Sequence, residues 1–290
     1  MRTLLRLLLL LVIVLGAAWL GLWWYAQGRL ETGITGWANQ MSTNPNIKIS
    51  YDSIQRGTSP LAATVTLTNL HFVMQPNGMA PITATLPSVT LRIAAANPTA
   101  MHLDLPPQIN FDAAQGNASI TFGNVDLVDH LDPKAAFDSK VYPFRSNDLV
   151  ANNINVLGSS GSLLVLHIDN VTGHADLNPN AGAGESAFSG TDSFSGVALS
   201  PLLVRIASIP FGGKIDLFSA SANISGPVPA DWQNLLQQVR ALAPSDIAGH
   251  RKLILPAVHD WATTGGAADG SITLAIGPSV FKTDAAVKFD

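Results

Sequence analysis

From Ile47 onward the apolar residues of this chain recur at every second position, and that period constrains its fold more than any other feature. Ala63-Thr64-Val65-Thr66-Leu67-Thr68 is the clearest case. Successive side chains of a strand point to opposite faces, so this segment has one apolar and one hydroxylated face. Ile82 to Leu86, followed by Val89, Leu91 and Ile93, reads the same way with an expected break at Pro87. His102 to Leu105 and Ile109 to Phe111 flank Pro106-Pro107, and Ala118, Ile120 and Phe122 alternate again. Longer strand-like runs cover Leu149 to Leu157, Leu163 to Leu177, Phe188 to Leu199 and Lys214 to Ile224. Turn formers such as Pro76-Asn77-Gly78, Gly158-Ser159-Ser160-Gly161 and Asn178-Pro179-Asn180 separate them. The spacing predicts a mainly β protein with minor α, built as an antiparallel curved sheet or sandwich. Too few helical patterns lie between the strands for a parallel sheet.

The residues before Ile47 follow another rule. Leu4 to Tyr25 is almost wholly apolar and closes with Trp23, Trp24 and Tyr25. A bilayer core about 30 Å thick needs roughly 20 apolar helical residues, and this run is long enough. Its one charge, Arg6, lies near the entry, where a long side chain can snorkel to the headgroups. The reading is a transmembrane signal-anchor over residues 1–25, with Trp23, Trp24 and Tyr25 as the membrane-interface belt. Arg2, Arg6 and the α-amine precede the run, which places the N-terminus in the cytoplasm and the rest of the chain in the periplasm. The competing reading is a signal peptide cleaved near Ala18, after Gly16-Ala17-Ala18. The run continues past that point, which favours the uncleaved anchor.

Residues 26–46 form a juxtamembrane helix or linker, with Leu30, Ile34 and Trp37 at helical spacing and Gly28, Gly33 and Gly36 weakening it. Residues 47–290 form the β-rich domain, with a candidate internal boundary in the Gly-, Ala- and Ser-rich stretch 178–196. Two amphipathic helices are expected near its end. One carries Trp232, Leu235, Leu236, Val239 and Leu242 as an apolar stripe and stops at Pro244. The other runs from His250 to Trp261 around Pro256. A closing hairpin turns at Gly277-Pro278, between Ile272, Leu274, Ile276 and Ala285, Val287, Phe289.

Composition and spacing exclude several chemistries. The chain has no cysteine, so disulfides, thiol catalysis and Cys-based metal sites are ruled out. A net charge of −4 with no basic run after the anchor argues against a nucleic-acid partner. Among seven histidines (His71, His102, His130, His167, His174, His250 and His259) no pair has the His-Glu-x-x-His spacing. His167 and His174 share one strand-like run and by parity face opposite sides. Asp126, Asp129, His130 and Asp132 form the densest polar cluster and read as a solvated acidic turn rather than a Ca²⁺ loop. His259-Asp260-Trp261 is an adjacent trio, and triads are assembled in space rather than by adjacency. Gly182-Ala183-Gly184 and Gly265-Gly266 lack the strand–glycine–helix context of a phosphate cradle. No catalytic residue, cofactor or metal site is assigned.

Two stretches carry a family resemblance. Near the start, Ile49-Ser-Tyr51-Asp52-Ser53-Ile54 leads through a Gly57-to-Pro60 turn into the strand of Leu67, Leu70 and Phe72. Near the end, Trp261-Ala-Thr-Thr-Gly-Gly266 is followed by Ser271-Ile-Thr-Leu-Ala-Ile-Gly277-Pro278. Together they resemble the bacterial family called domain of unknown function 2125. That resemblance implies a single-pass, periplasm-facing, β-rich protein without an assigned activity, and it supplies no catalytic residues. In such proteins further sheet and helix follow the Gly-Pro turn, so a chain stopping at Asp290 reads as a short or truncated member. The anchor-plus-sheet layout also looks like AsmA-like and TamB-like envelope proteins, whose grooves are associated with lipid handling. The functional expectation is a non-enzymatic protein of the inner membrane whose sheet leaves an apolar groove for phospholipid. The alternative is a structural module with a closed core that binds an envelope protein, and a hydrolase near His259 and Asp260 is a remote third.

Overall fold

The structure, a computed structural model, describes the chain except residues 1, 43–45, 76–79, 115, 137–142, 159–162, 228–234, 236–237, 240–245 and 289–290. For residues 2–12, 40, 210 and 288 it describes the backbone alone. The fold is mainly β with minor α, and every strand pairing described is antiparallel. The chain divides into two units, residues 1–119 and 120–290.

The first unit is a helix on a sheet. Helix α1 (Arg2–Met41) runs unbroken through the apolar stretch and the juxtamembrane stretch. Strand β3 (Ala62–Met74) pairs on one edge with β1 (Ile47–Ser50) and β2 (Ser53–Arg56), and on the other with β4 (Ile82–Ala94). The far edge of β4 is covered by β5 (Ala100–Asp104) and β6 (Gln108–Ala113). Val65 is fully buried, and Ala63, Leu67, Leu70, Ala84, Val89 and Leu91 are buried with it.

Simple alternation fails at one line through this sheet. Leu67 and Leu70 are both buried although they stand three apart, as are Ala84 and Val89, five apart. Between each pair lies a residue that the ladder skips: Asn69, with φ of 48°, and Pro87 opposite it. Proline cannot donate to a ladder, and asparagine tolerates the left-handed conformation better than most residues. The line continues through Asp52, between β1 and β2, where Asn69 Nδ2 donates to Asp52 Oδ2 at 2.7 Å. At the other side it reaches Pro106-Pro107, between β5 and β6. The expected strand break at Pro87 is therefore corrected: β4 runs through it, with its faces exchanged.

Strand β7 (Gly116–Thr121) leads to the second unit, an antiparallel meander in chain order. It comprises β8 (Asn124–Leu131), β9 (Phe144–Leu157), β10 (Leu164–Leu177), β11 (Ser186–Leu199), β12 (Lys214–Ser225), β13 (Ala267–Ile276) and β14 (Ser279–Lys288). Residues 178–196 lie inside this unit, as the β10–β11 connection and most of β11. A second crease crosses it. Ile154 and Ile168 join the cluster of Ala151 and Val171 despite odd spacing. Asn153 (φ 52°) and Gly196 (φ 62°) mark the exchange, with Asp169 between them in the ladder. A side chain at Gly196 would collide with the Asp169 carboxylate, so glycine is required there by space and by backbone angle.

Two α-helices are bounded among the described residues of the unit. Helix α2 (Pro201–Ile206), capped by Ser200, has no signature in the sequence, since six residues are too few to show a helical period. Helix α3 (Ile247–Thr263) contains Pro256 and is capped by Asp246, whose Oδ1 accepts from the Gly249 N–H at 2.8 Å. It matches the expected helix of residues 250–261. The helix expected over residues 232–242 falls outside the described residues, apart from Leu235, Gln238 and Val239, which are helical.

Candidate functional site

The expected interface belt lies on α1 where that helix meets its own sheet. Trp23 donates its indole N–H to the Ala62 carbonyl at 3.1 Å, and Trp19, one turn earlier, donates to Pro60 at 3.0 Å. Trp24 and Tyr25 are exposed. Gln27, buried, donates to the Gly57 carbonyl at 2.7 Å. Glu31 pairs with Arg56 at 2.5 Å, Ile34 and Ala38 are buried, and Trp37 stacks obliquely on Phe72 at 6.0 Å. From Trp19 to Ala38, α1 is thus a component of the first unit. From Ile13 to Ala18, by contrast, every side chain is exposed. Among the described residues, no helix is long and apolar enough to cross a membrane. The leucine-rich side chains of residues 4–12 lie outside that description.

In the second unit the sheet has two chemically distinct faces. On one, Val125, Ala151, Val171, Phe194, Phe218, Leu274 and Phe281 stand side by side in register across all seven strands. Phe194 and Phe218 pack obliquely at 6.1 Å. Only Ala151 and Val171 in this row are buried, and Phe281 at the β14 edge is 60% exposed. Beside it, Leu127, Leu149, Gly173, Asp192, Ala220 and Ile272 form a second row, with Ile272 44% exposed.

The other face is polar. His130 and His174 share one carboxylate: His130 Nε2 lies 3.0 Å from Asp148 Oδ2, and His174 Nδ1 lies 2.7 Å from Asp148 Oδ1. The second ring nitrogen of His174 reaches Asp176 Oδ2 at 2.9 Å. Asn152 and Asn170 pair across strands at 2.7 Å, and Ser221 and Ser271 at 2.8 Å. A shallow trough of about 350 Å³ crosses this part of the sheet, bordered by Asp148, Thr172, His174, Thr191, Ser193 and Ser221. Hydrogen bonds to Asp148 and then Asp176 raise the His174 pKa above its ordinary value. The bond from His174, followed by that from His130, holds Asp148 below the usual carboxylate range.

The sequence reading of these residues needs two corrections. Asp126, Asp129 and His130 belong to strand β8 rather than a turn, so alternation sends Asp129 to the face opposite Asp126 and His130. Burial raises the Asp129 pKa. Asp132, just beyond the strand, is buried and bound by the Lys134 N–H at 2.8 Å and by the Arg145 guanidinium, which depress its pKa in that order. The second correction concerns His167. Because the crease turns Ile168 toward Val171, His167 falls on the polar side together with His174, bonded to Asn155 at 2.7 Å and Asp169 at 2.9 Å. Asp148 had no signal in the sequence, since its partners come from strands β8 and β10.

Elsewhere, His71 bonds Thr85 at 3.1 Å, His250 bonds the Asp246 carbonyl at 2.6 Å, and His259 and Asp260 are exposed on α3. Among the described residues no three His, Cys, Asp or Glu side chains are placed to hold a metal ion.

The His–Asp ladder has a testable pH signature. A raised histidine pKa contributes stability below about pH 6.5, lost as pH rises through the folded value. A lowered aspartate pKa contributes above about pH 4, lost as pH falls through its folded value. Between those limits both contributions are present. His174→Gln is expected to lower the melting temperature at pH 6 by roughly 1 °C, the effect of an exposed pair, and by less at pH 8.5. Equal losses at the two pH values would show that His174 acts without its charge.

Together, the antiparallel meander, the packed N-terminal helix and the two-faced sheet define a mainly β protein without a recognisable catalytic constellation among its described residues. The chain belongs to a family described as uncharacterised proteins conserved in bacteria, domain of unknown function 2125, whose model matches residues 23–290. No curated protein and no solved structure matches it.

Proposed function

We propose that this is a non-enzymatic, membrane-anchored protein of the bacterial envelope that binds phospholipid acyl chains along the apolar face of its second unit. The observation that carries this reading is the apolar row from Val125 to Phe281. Its burial falls away from Ala151 and Val171 toward β14, so a face in continuous register is covered at one side and open at the other. A row of this kind left to water is unfavourable, and each buried methylene of a bound chain would contribute about 0.8 kcal/mol.

The anchor is the part of α1 before Trp19. Its side chains from Ile13 to Ala18 are apolar or glycine and exposed on every face of the helix, as suits a segment surrounded by lipid. Leu4 to Trp19 gives about 24 Å of helix, slightly less than the bilayer core. The Trp19 and Trp23 bonds to Pro60 and Ala62 would then hold the first unit against the headgroups, on the periplasmic side by the charge rule.

Mass spectrometry of the detergent-purified chain is expected to find phospholipid at a ratio that falls severalfold in Ile272→Asp, on the apolar face. Thr273→Asp, on the polar face, should retain it. Because lipid around α1 is common to both variants, their difference isolates the sheet. Equal lipid in the two would sink the acyl reading.

A further inference from the structure

We propose a second lipid contact: the end of the second unit that carries the β9–β10, β11–β12 and β13–β14 connections docks on an anionic bilayer surface. An antiparallel meander brings these three connections to one end of the sheet. Large apolar side chains are exposed on or beside them: Leu163 (44%) before β10, Leu202 (48%), Ile206 (72%) and Phe211 (73%) between β11 and β12, and Val280 (68%) and Phe281 (60%) at the start of β14.

Helix α2 shows the pattern most clearly. It turns Val204 inward, against Gly213, and leaves Leu202 and Ile206, one turn apart, in solvent with Arg205. Phe211 then sits at φ 56°, a conformation that disfavours any side chain, although Gly212 and Gly213 beside it adopt the same region at little cost. In this conformation its aromatic ring stands out into water. Phe211 also borders an apolar trough of about 490 Å³, with Leu274, Ile276, Pro278 and Phe281.

Charge selects the partner. Arg205 and Lys214 are exposed at the rim, and Lys282 follows on β14, 3.5 Å from Asp284. Asp216, exposed two residues past Lys214, accepts the Gly277 N–H at 2.5 Å. The opposite end of the sheet carries Asp132, buried and paired with Arg145, and Asp176 and Glu185, together with Lys134, Arg251 and Lys252. Apolar side chains ringed by cations suit an interface of anionic lipid. A second copy of the same end would set Arg205 and Lys214 against their own kind.

The absence of cysteine allows a clean test. The full chain bearing Ile206→Cys, or Leu202→Cys if that variant fails to fold, is labelled with an environment-sensitive fluorophore. It is reconstituted in vesicles of phosphatidylcholine and phosphatidylglycerol carrying nitroxide on their acyl chains. Quenching is expected to exceed that of a Glu185→Cys control at the opposite end by at least threefold. It should fall to the control level in pure phosphatidylcholine, or when Arg205→Glu and Lys214→Glu are combined. Equal quenching at both positions overturns the proposal. So does quenching indifferent to lipid charge and to the reversals, or a blue shift that grows with protein concentration without lipid, the signature of self-association. The acyl reading fails separately, since Ile272→Asp should leave quenching at position 206 unchanged.

Discussion

Val65→Asp is expected to unfold the first unit, with a stability loss above about 4 kcal/mol. Val65 is fully buried at the centre of β3. Its neighbours on that face are Ala63 and Leu67, and the paired strand contributes Leu91. A carboxylate placed there would be cut off from water, and Arg56, opposite it in the ladder, is already paired with Glu31. Thr66→Asp, one residue along, points to the other face and removes a 2.8 Å hydroxyl bond to Thr90, at a cost of about 1 kcal/mol. Urea denaturation followed by tryptophan fluorescence reads the contrast, because Trp19, Trp23 and Trp37 all report on this unit. Similar losses from the two substitutions would show that the alternation does not divide core from solvent.

Asn153→Val is the second large effect, with an expected loss of about 2 kcal/mol, whereas Asn153→Gly should stay within a few tenths. At φ 52° a β-branched side chain meets the steric penalty of the left-handed region, about 1–2 kcal/mol, and glycine does not. If the valine variant relaxes the crease instead, Ile154 must leave the cluster of Ala151 and Val171, which adds a packing loss. The measurement is the unfolding free energy of the two variants. A valine variant as stable as the glycine one would mean that Asn153 does not fix the exchange of faces. The same contrast at Asn69, at φ 48°, tests whether both units use one device.

The two creases explain where the sequence reading stopped. Asn69 and Pro87 were visible as residues, and the strand around Pro87 was expected to break there. Instead the chain stays extended and changes phase, because one left-handed residue on the facing strand absorbs the half-turn. For the same reason parity misplaced His167: counting seven positions to His174 assumes that no such half-turn intervenes. In β8, a run dense in Asp and His hid Val125, Leu127 and Leu131, the alternating apolar residues that make it a strand.

What the sequence by itself determined is therefore local. Alternation gave a mainly β, antiparallel protein; the segment from His250 to Trp261 around Pro256 read as a helix, now α3; the Gly277-Pro278 pair gave the last hairpin; and two short stretches carried the resemblance to the family whose model matches residues 23–290. Each depends on residues within about ten positions, where the strand period and turn chemistry act directly. The tertiary structure decided the phase of that alternation beyond Asn69 and Asn153 and the sharing of Asp148 by two histidines from different strands. It also decided the meeting of Trp19 and Trp23 with Pro60 and Ala62 and the gathering of exposed apolar side chains, on or beside three strand connections, at one end of a sheet. These depend on the register between strands and on single backbone angles, which the period of a sequence leaves open.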